Sequence, residues 1–176
     1  MSDSYHGHYT GDEWYEAERK LITEPPEPAS QLPPPIDHKR YLPVKLEPSG
    51  YIPVRAHPTD AGLDLKTPEM FHLPAHSFVK VDTGVRVAIP KGHFGLIFSK
   101  SGLMASGITS RGVIDPSYRG TIQVVLYNHG DEDRYFGAGD KISQMIIIPC
   151  ITPEPYLVAE LDSTERGEGG FGSTGK

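Results

Sequence analysis

A single cysteine, Cys150, removes internal disulfides from any account of this chain. One lone thiol suits a reducing, intracellular compartment. Long hydrophobic runs are missing too. The longest apolar stretch, around Met145 to Pro149, falls far short of the roughly 20 residues a membrane helix needs. Neither a membrane partner nor a signal peptide is expected, which points to a cytoplasmic location. Cations are scarce: 17 Lys and Arg stand against 23 Asp and Glu, for a net charge of -6. That balance excludes a general nucleic-acid binder, which presents a basic face. Any phosphate ligand must then be met by a few placed cations and backbone N–H groups. His6 and His8 neighbour each other but lack cysteine partners, so no zinc-type site is expected there.

Proline and glycine, by contrast, are plentiful at 17 and 19 residues. Proline is dense between Pro25 and Pro35, which blocks helix and sheet ladders and favours extended backbone. Residues 1–40 therefore read as an N-terminal extension. Asp12 to Ile22 is compatible with a short helix carrying Trp14, Tyr15, Ala17 and Leu21. The extension is either a docking peptide for a protein partner or a disordered arm.

From Tyr41 the pattern turns to β. Phe78–Val81, Val85–Ile89, Phe94–Phe98, Thr121–Tyr127 and Ile142–Ile148 read as strands, with a last short one at Tyr156–Leu161. Pro90-Lys91-Gly92 and Asn128-His129-Gly130 read as turns. Short strands with Gly and Pro turns at regular intervals predict an all-β sandwich or barrel over residues 41–161, with no helix of useful length. Residues 162–176 form a Gly-rich tail.

The turns and the tail hold the unusual residues. From Arg166 to Lys176 there are five glycines, the hydroxyls of Ser173 and Thr174, the planar fork of Arg166, and Phe171 without apolar neighbours. Such a set can bend around a ligand bearing phosphates and a flat ring. Gly170–Lys176 also fits part of a P-loop, which requires a hydroxyl residue and a helix after the lysine; that reading is set aside. A flexible tail is the plain alternative. Asp60–Leu65 places two carboxylates around Gly62, as an Asp-Gly turn would. Ser99–Leu103 combines Lys100 with two hydroxyls and Gly102, a plausible phosphate nest. Gly112–Gly120 reads as a hairpin holding Asp115 beside Val113 and Ile114, the makings of a general base. Gly139–Gln144 adds a neutral hydrogen bonder at a position suited to packing.

These four motifs and the tail, in this order, resemble the trimeric dUTP pyrophosphatase (dUTPase) family from about Leu46 onward. The resemblance implies a distorted jelly-roll barrel that hydrolyses dUTP to dUMP and pyrophosphate with Mg2+, keeping uracil out of DNA and supplying dUMP. It implies a homotrimer with shared sites, the tail acting as a lid. By match to the family, Asp115 activates the attacking water and Tyr118 packs on the deoxyribose. The backbone of Val113 and Ile114 reads uracil, and Gln123 contacts substrate. Ser101, Gly102 and Gln144 match phosphate binders, with Lys100 where the family usually has Arg. Arg166, Gly172, Ser173 and Thr174 match the closing clamp, Phe171 the ring stacked on uracil, and Asp64 an acid that holds magnesium through water. Thr109 stands where relatives often carry Asn, and Met104 is bulkier than the usual Ala. Two rival readings differ at named residues. A dCTP deaminase needs a glutamate where this chain has Val125, which transfers no proton. A nucleotide-sensing scaffold has no need to keep Asp115, Arg166 and Phe171 together.

Overall fold

In the computed structural model, residues 37 and 41–169 are described. The expected helix at 12–22, the proline-rich stretch, and Phe171, Gly172, Ser173 and Thr174 lie outside them. The chain divides into two units, 1–37 and 38–176, and only the second is treated below.

Alternation of large apolar and polar residues builds this unit from short antiparallel strands. They are β1 (Val44–Leu46), β2 (Leu63–Lys66), β3 (Phe71–Leu73), β4 (Phe78–Asp82), β5 (Val85–Val87), β6 (His93–Phe98), β7 (Ile108–Ile114), β8 (Gln123–Asn128), β9 (Arg134–Phe136) and β10 (Lys141–Pro149). A six-stranded sheet runs β2-β10-β6-β7-β8-β4, and β1-β5 and β3-β9 form two-stranded ribbons. Strand β7 is the hinge of the curl: Ile108–Ser110 pair with β8, while Arg111–Ile114 pair with β6. Along β8, Val124, Leu126 and Asn128 are buried and their neighbours are not, the period-2 signature of a sheet with one face inward. The core takes Leu65, Leu73, Ile97, Ile108, Ile122, Val124, Leu126, Ile142 and Met145, all at most 1% exposed. Each such side chain contributes about 1.5–3 kcal/mol by leaving water. The result is an all-β, jelly-roll-like wall.

Three buried serines fasten the seam of that wall. Ser110 N–H donates to Ser99 Oγ at 2.7 Å, Ser110 Oγ meets Ser143 Oγ at 2.8 Å, and Ser143 Oγ donates to Phe98 O at 2.9 Å. Each buried hydroxyl therefore has a partner, which removes the cost of taking it from water.

The structure departs from the sequence reading in several places. Tyr156–Leu161 forms no strand; the segment is exposed, with Leu157 100% exposed, and among the described residues no strand pairs with it. Asp60–Leu65 is a turn only at its start: Leu63–Leu65 belong to β2 and are buried, Asp64 among them. A five-residue helix, α1 (Ser101–Ala105), begins within the Ser99–Leu103 stretch, where the sequence reading placed no helix. Thr121 and Ile122 precede β8, and Ile122 N–H donates to Val85 O at 2.7 Å instead of joining the ladder.

Candidate active site

The site residues fall into two groups. The first is built on Asp64, whose side chain is 4% exposed inside β2. A carboxylate so placed must be paired or it costs several kcal/mol. Lys100, two residues beyond β6 and just before α1, donates from Nζ to Asp64 Oδ1. Lys141, the first residue of β10, places Nζ 2.7 Å from Oδ2 as an ion pair without hydrogen-bond alignment. Burial pushes the Asp64 carboxyl upward, but the close contacts and positive charges of Lys100 and Lys141 outweigh it and hold the group below its ordinary value. Asp60, the other carboxylate of that motif, accepts from His57 N–H at 2.9 Å and closes its own loop.

Gln144 stands directly opposite Asp64 in the β10–β2 register and donates from Nε2 to Ser99 O at 3.0 Å. Its side chain lies where a Cβ on residue 62 would be, so Gly62 is what makes room for it. Ser101 and Gly102 open α1, exposed and without a side-chain cap. A Cβ on Gly102 would meet nothing within 4 Å, so the space in front of that turn is open. Asp64, Lys100, Ser101, Gly102 and Gln144 are thus brought together. Lys141 was missed from sequence. Its only signal was a cation three residues before Gln144.

The second group surrounds the end of β7. Ile114 points inward, Val113 is 61% exposed, and Asp115 opens a turn closed by Tyr118 N–H to Asp115 O at 3.1 Å. Asp115 is exposed rather than set among apolar neighbours, because Val113 and Ile114 face opposite sides of the strand. Tyr118 bends back so that its hydroxyl donates to Thr121 O at 2.9 Å, and any Cβ on Gly120 would overlap its ring. Gln123 Nε2 donates to Thr121 Oγ1 at 3.1 Å, and Thr121 Oγ1 donates to Asp82 Oδ2 at 2.8 Å. Burial raises the Asp82 carboxyl, and bonds from Gly84 N–H, Thr121 and Gln123, with the charge of Arg86, lower it further than that. Arg119 spends its guanidinium on Pro116 O and Tyr118 O, both at 2.7 Å.

Among the described residues no hydrogen bond or ion pair joins this group to the Asp64 group. Arg166 belongs to neither: it is exposed, and its Nε donates to Gly169 O at 2.8 Å within the tail. Among the described residues, no group of three or more His, Cys, Asp or Glu is placed to hold a metal ion, and no helix is long and apolar enough to cross a membrane. The Thr109 hydroxyl meets His129 Nε2 at 2.8 Å.

A family model described as dUTPase matches residues 49–175, which include both groups. The chain belongs to the dUTPase family. It is 44% identical over 117 residues to a deoxyuridine 5'-triphosphate nucleotidohydrolase of Dictyostelium discoideum, named as mitochondrial, covering 65% of each chain. It is 43% identical over 120 residues to the Candida albicans enzyme of that name, covering 66% of this chain and 76% of that one. Among solved structures, the Staphylococcus bacteriophage 80alpha dUTPase with dUpNHpp superposes with a TM-score of 0.73 at 31% identity, covering 78% of this chain and 99% of that one. A mutant dUTPase from a Staphylococcus aureus phage, whose structure is described as revealing the coordination of a structural Mg(II) ion, superposes at 0.64 with 28% identity, covering 68% and 97%.

Proposed function

We propose that this dUTPase-family chain cleaves dUTP to dUMP and pyrophosphate by in-line attack of water on the α-phosphorus. The observation that carries the reading is the convergence of Lys100, Gln144 and the uncapped start of α1 around open space. Cations, an amide and free N–H groups at one opening suit a polyphosphate in an otherwise acidic chain.

In this reading Asp115 takes a proton from water, the water oxygen bonds to the α-phosphorus, and the bond to the bridging oxygen breaks so that pyrophosphate leaves. Tyr118, already anchored on Thr121 and Gly120, presents its ring to the deoxyribose, where a 2′-hydroxyl would clash. The backbone of Val113 and Ile114 meets the uracil edge, and Gln123 supports the same turn. Arg166, Gly172, Ser173 and Thr174 close over the far phosphate, with Phe171 stacked on the base.

Two observations support assembly of each site from several copies, as in a homotrimer. The Asp115 and Asp64 groups share no bond within one chain, and every residue from Ile151 to Glu168 is exposed, as an arm laid on another subunit would be. An intracellular location fits the lone Cys150.

Magnesium does not fit Asp64 as the structure presents it, since each of its oxygens already faces a lysine. Mg2+ stays in the proposal as a partner of the triphosphate, whose charge it would neutralise.

Incubation with dUTP, dTTP, dCTP and UTP, followed by pyrophosphate release, tests the reading. Release from dUTP above the others is expected. No release from dUTP would sink it, and ammonia from dCTP would move the assignment to deamination.

A further inference from the structure

Asp64 and its two lysines carry more charge than a structural tie requires. One ammonium would neutralise the buried carboxylate. The second leaves the trio at +1, in a chain whose net charge is -6. The second cation also comes at a structural cost. Lys141 pairs with Lys66, the next partners are Ser143 and Leu65, and Ile142 is the extra residue of a β-bulge. A bulge gives up regular ladder bonding and re-aims the side chain beside it, and such features gather at functional sites. Here Ile142 and Ser143 are buried in succession, and Lys141 is turned onto Asp64. Stability alone does not account for this. Lys141 is 43% exposed, and ion pairs that open to solvent contribute little.

The neighbours leave the excess charge available. Asp140 accepts from Gly137 N–H at 2.8 Å and so is committed to its own turn. Lys66 lies 5.3 Å from the centre of the Tyr51 ring. Lys100 and Lys141 are 28% and 43% exposed, so an anion can reach them from outside while Asp64 holds them from within. Lys100 directly precedes Ser101 and Gly102, and Lys141 lies three residues before Gln144. Both ammonium groups therefore border the opening already described.

We infer that Lys141 joins Lys100 as a second phosphate-binding cation, and that Asp64 is the counter-ion that positions the pair rather than a holder of magnesium-bound water. The inference rests on the proposed reading of this site and adds to it a residue and a changed role. Two ammonium groups side by side repel each other; a shared carboxylate between them fixes their spacing and direction. An arriving polyphosphate then meets two aimed donors without having to order two flexible side chains.

The test is binding of a non-hydrolysable imido analogue of dUTP by calorimetry, once with EDTA and once with Mg2+. Lys141→Gln is expected to weaken binding about tenfold in both conditions, the scale of one charge-assisted contact, and Lys141→Arg to recover most of it. In turnover, Lys141→Gln should raise KM with kcat changed less than about threefold, the mark of binding lost equally from ground and transition states. Asp64→Asn should also lose affinity in both conditions. Unchanged affinity of Lys141→Gln overturns the inference, and so does a loss in Asp64→Asn confined to Mg2+. If Asp64→Asn does not fold, the half-exposed Lys141 and its Arg variant decide. A wild-type chain that fails to bind the analogue refutes the dUTPase reading itself, so the two failures are distinguishable.

Discussion

The barrel wall and the segment after Cys150 belong to one chain but obey different rules. From Leu63 to Ile148 polar atoms are paired as they are buried: Asp64 by two lysines, Ser110 by Ser99 and Ser143, Asn128 by the carbonyls of Leu73, Pro74 and Glu132. From Ile151 to Glu168 not one residue is covered, although Ile151, Tyr156, Leu157 and Leu161 are apolar. The wall buries a core of its own. The trailing segment carries apolar side chains that a single chain cannot bury, which is what a piece made for another surface looks like. The proposed chemistry divides along the same line: Lys100 and Gln144, the proposed phosphate binders, sit on the wall, and Arg166 sits on the exposed segment.

That contrast can be broken or sharpened by mutation. The largest effect is expected at the proposed base. Asp115→Asn should lower kcat by about 10²–10⁴, the usual worth of a general base, while the analogue binds nearly as before. Loss of binding in parallel would make Asp115 a structural residue. Deleting residues 163–176 should remove most of the rate and leave the melting temperature of the wall unchanged; a large drop in that temperature would erase the distinction between the two regions. Within the wall, Ile122→Ala should cost about 2–5 kcal/mol in denaturant titration, because the buried site cannot collapse around the void. The same change at exposed Leu157 should cost the isolated chain almost nothing.

Smaller effects follow from charge. The Asp82 carboxyl lies below its ordinary value in the folded chain, so its contribution to stability is present above about pH 4 and fades as pH falls through the lowered folded value. Acid titration of Asp82→Asn should show a shallower loss in that window than the parent; an identical curve would remove Asp82 from the account. The smallest change belongs to Lys100→Arg, which restores the fork usual in the family and should keep or raise turnover. A loss of more than tenfold, about 1.4 kcal/mol of barrier, would show that the shared carboxylate demands lysine.

Strands β4, β6 and β8 were legible in the sequence, since one buried face imposes a period of two, and β10 was legible as a long β-branched run despite its bulge. Strands β1, β3 and β9 were not: three residues each is too short for a period to show. Strand β2 was masked by its charge, because an aspartate near a glycine reads as a turn until two lysines are seen to neutralise it. Tyr156–Leu161 failed in the opposite direction. It has strand composition, but a ladder needs a neighbour, and none of the described strands pairs with it. Lys141 stayed hidden because a β-bulge has no sequence signature, whereas Asp115, Tyr118 and Gln144 stood out by motif.

The serine seam has an effect beyond holding strands together. Ser99 and Ser143 each immediately precede a proposed phosphate binder, Lys100 and Gln144, and both are tied through Ser110. The seam thus acts as a stiff backing plate behind recognition, and Ser110→Ala would slacken the grip on the nucleotide from a position that never meets it.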